Sequence, residues 1–86
     1  MTHDEWLATE QLTSEAGDLC FAHEVMRGDY VMPEGWVEAA IYEAGVMVKL
    51  ENGNWYTHVA CDEYEGDFET VRDRLWEWAK HESGDI

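Results

Sequence analysis

The chain predicts an α+β fold: a small antiparallel β-meander of about three strands, packed by a C-terminal amphipathic helix and preceded by one or two short helices. Three observations carry that expectation. Asn52-Gly53 lies between Val46-Met47-Val48-Lys49-Leu50 and Trp55-Tyr56-Thr57-His58-Val59, which is the strongest short-range hairpin signal a sequence offers. Phe68, Val71, Leu75, Trp78 and Ala79 recur at helical spacing on one stripe. The composition is 45% hydrophobic with five Trp, so a core can form even though 20 Asp and Glu against five Lys and Arg leave a formal net charge of -15. A disordered acidic tail would lack those aromatics.

Thr2 and Glu5 have the spacing of a capping box, and Trp6, Leu7 and Leu12 follow, which predicts a short first helix. Thr13 or Ser14 caps a second helix in which Leu19, Cys20, His23 and Met26 share a face and Gly28 is the stop. The alternation Leu19, Phe21, His23, Val25 fits a strand almost as well. Trp36 to Tyr42 carries two patterns. Trp36, Val37, Ala40, Ile41 and Ala44 make a helical stripe after Pro33, whereas Val37, Ala39 and Ile41 alternate. Ala44-Gly45 as a turn shortly before Asn52-Gly53 matches the regular spacing of an antiparallel meander, so the strand is preferred. Asp67 then serves as N-cap of a helix running to about His81. With no repeat, linker or low-complexity run, residues 1–86 are read as one domain.

Glu65, Glu69, Asp73 and Glu77 repeat every four residues, on the side of the C-terminal helix away from its apolar stripe. Successive members rise by about 6 Å, of the order of a phosphate step along a nucleic-acid strand. Asp62, Glu63 and Asp67 extend this anionic edge, and Trp76 projects among the acids as an aromatic anchor would. These eight residues, Asp62, Glu63, Glu65, Asp67, Glu69, Asp73, Trp76 and Glu77, form the expected partner-binding surface. Its plainer alternatives are an ordinary solvated face, with Trp76 covering the edge of the core, or acidity suited to strong salt. Thirteen Glu against seven Asp, with Trp and Cys well represented, argue against the salt reading.

An acidic surface repels phosphate backbones and anionic lipid headgroups, which disfavours direct nucleic-acid or membrane binding and favours a basic protein partner. No stretch has the length and apolarity of a membrane span, and the N-terminal residues lack a signal-peptide pattern, so a cytosolic location is expected. Cys20-x2-His23 and His58-x2-Cys61 are the best metal-ligand pattern. A strand through His58 would point it away from Cys61, and the spacing is not that of a standard finger, so no metal or cofactor is expected. Reading Asp62 to Glu69 as a calcium loop fails because Tyr64 and Gly66 occupy ligand positions. Activation of Cys20 or Cys61 by His23 or His58 would need a cleft that a domain of this size has little room for, and the protein is expected not to be an enzyme.

In size and composition the chain resembles the small acidic inhibitors made by phages and mobile elements, including anti-CRISPR, anti-restriction and uracil-glycosylase inhibitor proteins. The resemblance implies a non-enzymatic inhibitor that imitates nucleic acid and occupies the basic channel of a host defence complex. It covers no motif and assigns no residues. The alternatives are a generic acidic interaction or regulatory module and, third, a small zinc-binding domain.

Overall fold

The computed structural model describes residues 2–15, 35–59 and 62–82. In chain order the described elements are α1 (His3–Leu7), β1 (Gln11–Thr13), β2 (Trp36–Tyr42), β3 (Gly45–Leu50), β4 (Trp55–Val59), β5 (Asp62–Gly66) and α2 (Phe68–Glu82). The strands form one antiparallel sheet in the order β1-β2-β3-β4-β5, each beside its neighbour in sequence. The α+β class and the meander are as expected. Among the described residues the strand number is five rather than about three, because β1 and β5 flank the three central strands.

The Thr2 capping box forms at the start of α1: the Thr2 amide donates to Glu5 Oε1 at 2.8 Å and the Glu5 amide to Thr2 Oγ1 at 3.2 Å. Those bonds hold the Glu5 carboxyl below its ordinary range, the Thr2 backbone contributing most. The helix ends at Leu7, so Leu12 is not part of it. Leu12 pairs with Ala40 in β1 and stays half exposed. Thr13, expected as a helix cap, is likewise a strand residue, opposite Ala39, and its Oγ1 accepts from the Glu15 amide at 3.1 Å. The expected second helix from Ala16, with Cys20, His23 and Gly28, lies outside the described residues.

Trp36–Tyr42 is a strand, with a register shift between Trp36 and Glu38. Helical spacing of its apolar residues loses to pairing with β3, which satisfies the backbone and sends alternate side chains to two different cores. Ala40, Tyr42, Met47 and Trp55 join Trp6, Val71, Leu75 and Ala79 on the face beneath α2. Ala39, Val46, Val48, Leu50 and Tyr56 cluster on the other face, with Trp36 and Ile41 against them. Central strand β3 is therefore buried on both sides, and Gly45 to Val48 are buried in succession without alternating.

The hairpin expected at Asn52-Gly53 is present, with a three-residue loop. Leu50 and Asn54 close it through Leu50 N to Asn54 O at 2.7 Å, and Gly53 adopts φ +93°, a region open to glycine at little cost. The preceding turn places Ala44 at φ +62°, which costs an L-residue about 1 kcal/mol or more. At Gly45 the requirement is steric, since a Cβ there would come within 2.7 Å of Leu75 Cδ1 on the overlying helix.

Candidate acidic interface

α2 begins where the sequence indicates. Asp67 caps it, accepting from the Thr70 amide at 3.3 Å and the Thr70 hydroxyl at 2.6 Å. Both bonds favour the ionised carboxylate and hold its pKa below the usual range, the hydroxyl bond contributing most. Val71, Leu75 and Ala79 are fully buried against the sheet, with Phe68 and Trp78 packed beside them, as the apolar stripe requires. The opposite side carries Glu69, Asp73 and Glu77, all exposed.

Glu65 does not continue that row. It lies in β5, one pair from the end of the strand, opposite Tyr56, and its Oε2 accepts from Asn54 Nδ2 at 2.9 Å. A four-residue repeat keeps direction only while the backbone is helical, and here the chain is extended until Gly66. The acids therefore form two rows. One is Glu69, Asp73 and Glu77 on α2. The other belongs to β5, where Asp62, Glu63 and Glu65 are exposed on a strand whose one described neighbour is β4. Glu63 and Glu65 share the face of the sheet that points away from α2, two residues or about 7 Å apart along the strand. The Tyr56 hydroxyl donates to Glu63 Oε1 at 3.2 Å. Burial, with the Glu65 charge next, pushes the Tyr56 pKa up to about 12.

The described cations are largely drawn inward or along the surface. Arg72 stands 3.8 Å from Glu10 and over the Phe68 ring, while Arg74 leans over Tyr64 with 5.5 Å to the ring centroid. Lys80 binds Glu77 at 2.9 Å and, mainly through that bond, lowers the Glu77 pKa. Lys49 sits opposite Glu38 in the sheet. Among the described residues no ion pair engages Glu69 or Asp73.

Trp76 is a rim residue of the core. It is half-buried, tilted against Trp6 at 5.2 Å between ring centroids, and equally close to His3. Trp6 in turn is fully buried, stacked on Tyr42 at 4.3 Å, and donates its indole N–H to the Glu43 carbonyl at 2.8 Å. Trp76 stands between Asp73 and Glu77 on α2, and Trp6 of α1 packs against its inner edge. Between these helices runs a groove of about 640 Å³ lined by His3, Thr70, Asp73, Arg74, Trp76 and Glu77. Asp73, Trp76 and Glu77 were legible as site candidates. His3, Thr70 and Arg74 were not, since the groove arises from the docking of α1, which no local pattern announces.

His58 lies in β4 opposite Glu63, and Cys20, His23 and Cys61 are outside the described residues. Among the described residues no three His, Cys, Asp or Glu side chains gather as a metal site would require. No described helix is long and apolar enough to cross a membrane. Comparison with protein-family models, with curated proteins and with solved structures finds no match to the chain.

Proposed function

We propose that this protein is a non-enzymatic inhibitor that presents an acidic, nucleic-acid-like surface to a basic nucleic-acid-binding protein, as some anti-CRISPR and anti-restriction proteins of phages and mobile elements do, acting in the cytosol. One observation carries the reading. At a net charge of -15, exposed carboxylates recur about 6 Å apart along α2 and about 7 Å apart along β5, while the neighbouring cations turn to ring faces and individual acids. A surface like this attracts a positively charged channel at long range and competes there with the phosphates it resembles in spacing. Like charges four apart on α2 cost a few tenths of a kcal/mol per pair, a price that solubility alone does not require.

The test is capture from a host lysate with nuclease and salt controls. Basic nucleic-acid-binding proteins should be recovered, and added protein should block their DNA or RNA binding. The isolated chain should give no gel shift with DNA or RNA, because its field repels phosphates over roughly a Debye length of 8 Å at physiological salt. Reversing two charges of the helix row, Glu69→Lys with Asp73→Lys, should weaken partner binding by about 2–5 kcal/mol. Recovery of neutral metabolic enzymes instead, with affinity indifferent to the reversals, would replace this reading with that of a generic acidic module.

A further inference from the structure

The groove between α1 and α2 differs from the rest of the acidic surface in having an aromatic floor. His3 and Trp76 approach to 5.2 Å with their planes 44° apart, so their rings form an angled wall rather than a closed stack. Asp73 and Glu77 stand on either side of Trp76 along the same helix, three residues before it and one after. Thr70 adds a hydroxyl, although its hydrogen is engaged by Asp67. The groove's own cation, Arg74, is attracted to the Tyr64 ring on β5, and Glu77 is shared with Lys80. Asp73 is thus the groove carboxylate that no described ion pair engages.

We infer that this groove receives an arginine side chain of the partner. This rests on the reading that the partner is basic, and it names the group that enters and the residues that hold it. A guanidinium is flat and weakly hydrated, so it can lie against the Trp76 indole while the N–H groups at its edge reach Asp73 in the plane of the fork. A lysine ammonium satisfies the carboxylate but gains less from the ring. A phosphate or nucleic-acid strand is excluded by Asp73 and Glu77, and a purely apolar side chain would leave Asp73 desolvated without a bond. The aromatic pair thus converts a diffuse negative field into a position that selects one side chain. On the β5 row, Glu63 and Glu65 already accept from Tyr56 and Asn54.

The experiment is an NMR titration of the full chain with an acetylated, amidated Gly-Arg-Gly peptide. Its citrulline counterpart keeps the shape of the side chain and removes the charge. The arginine peptide should shift the Trp76 indole N–H and the His3 ring resonances, and the citrulline peptide should bind about tenfold more weakly, having lost both the ring and the carboxylate attraction. Asp73→Asn should weaken the arginine peptide about threefold. Trp76→Phe, which keeps an aromatic ring against Trp6, should weaken it while leaving the protein folded, as the retained dispersion of the other tryptophan signals would report. Equal binding of the two peptides, or shifts confined to β5 around Glu63 and Glu65, overturns the arginine site. In the second case capture and nucleic-acid competition can still succeed, so the proposed function survives. Arginine-selective shifts at Trp76 with failed capture would keep the groove and remove the inhibitor reading.

Discussion

Two regions of this small protein treat polar groups in opposite ways. At the aromatic corner formed by α1, the turn after β2 and α2, specific hydrogen bonds tie the elements together. The Trp6 indole donates to Glu43 O, the Glu43 amide to Thr9 Oγ1 at 3.0 Å, and the Tyr42 hydroxyl to Glu10 Oε1 at 2.6 Å. Along β5 and the outer side of α2, carboxylates stand near one another with few cations between them. Burial of Trp6 and Tyr42 accounts for their bonds, since an unbonded polar group costs about 1–3 kcal/mol there, whereas water solvates such a group on the surface. Charge can therefore be spent on recognition only where packing does not depend on it. Arg72 marks the boundary, half-buried beside Glu10 and Phe68 with its Nε left without a hydrogen-bond partner.

The sharpest break in that comparison is Trp6→Ala. It empties the most enclosed site in the corner and orphans the Glu43 carbonyl, so chemical denaturation should show a loss of about 3–5 kcal/mol. Trp76→Ala should cost less, about 2 kcal/mol, because its outer edge is already in water. A purely exposed anchor would cost binding with little loss of stability. Packing against Trp6 makes stability part of the effect, and a denaturation midpoint equal to the parent's would return Trp76 to the surface. Gly45→Ala should lose about 1–3 kcal/mol, as its methyl group presses on buried Leu75.

Alkaline pH tests the same contrast by titration. Burial and the Glu10 bond raise the Tyr42 pKa, and burial with Glu65 raises that of Tyr56 to about 12. A raised folded-state value means that the neutral phenol stabilises the fold fully below the unfolded value of about 10. That contribution declines as pH climbs through the folded value. Stability should accordingly fall between pH 10 and 12, and Tyr56→Phe should flatten the fall. A tyrosine absorbance titration with a single midpoint near pH 10 would contradict the burial of both rings. The smallest effects on stability belong to positions outside the core. Ala44→Gly, releasing a left-handed alanine, should gain up to about 1 kcal/mol. Glu69→Lys with Asp73→Lys should leave stability level or raise it by a few tenths of a kcal/mol, even while partner binding collapses.

What the sequence by itself determined was local. The Thr2-Glu5 box, the Asn52-Gly53 hairpin, the Asp67 cap and the Val71-Leu75-Ala79 stripe each depend on residues a few positions apart, so they can be read before the fold is known. The tertiary structure decided what depends on distant partners. Gln11–Thr13 becomes a strand only by pairing with β2, some thirty residues on, and Asp62–Gly66 only by pairing with β4. An edge strand with Asp, Glu and Tyr in place of an apolar alternation carries no periodic signal, because it needs one bonded neighbour and little burial, and charge on such an edge discourages stray pairing. That pairing moved Glu65 off the helix row and divided the acids in two. The docking of α1 on α2 then gave Trp76 a core partner and opened the groove beside it, a result of packing that no helical wheel contains.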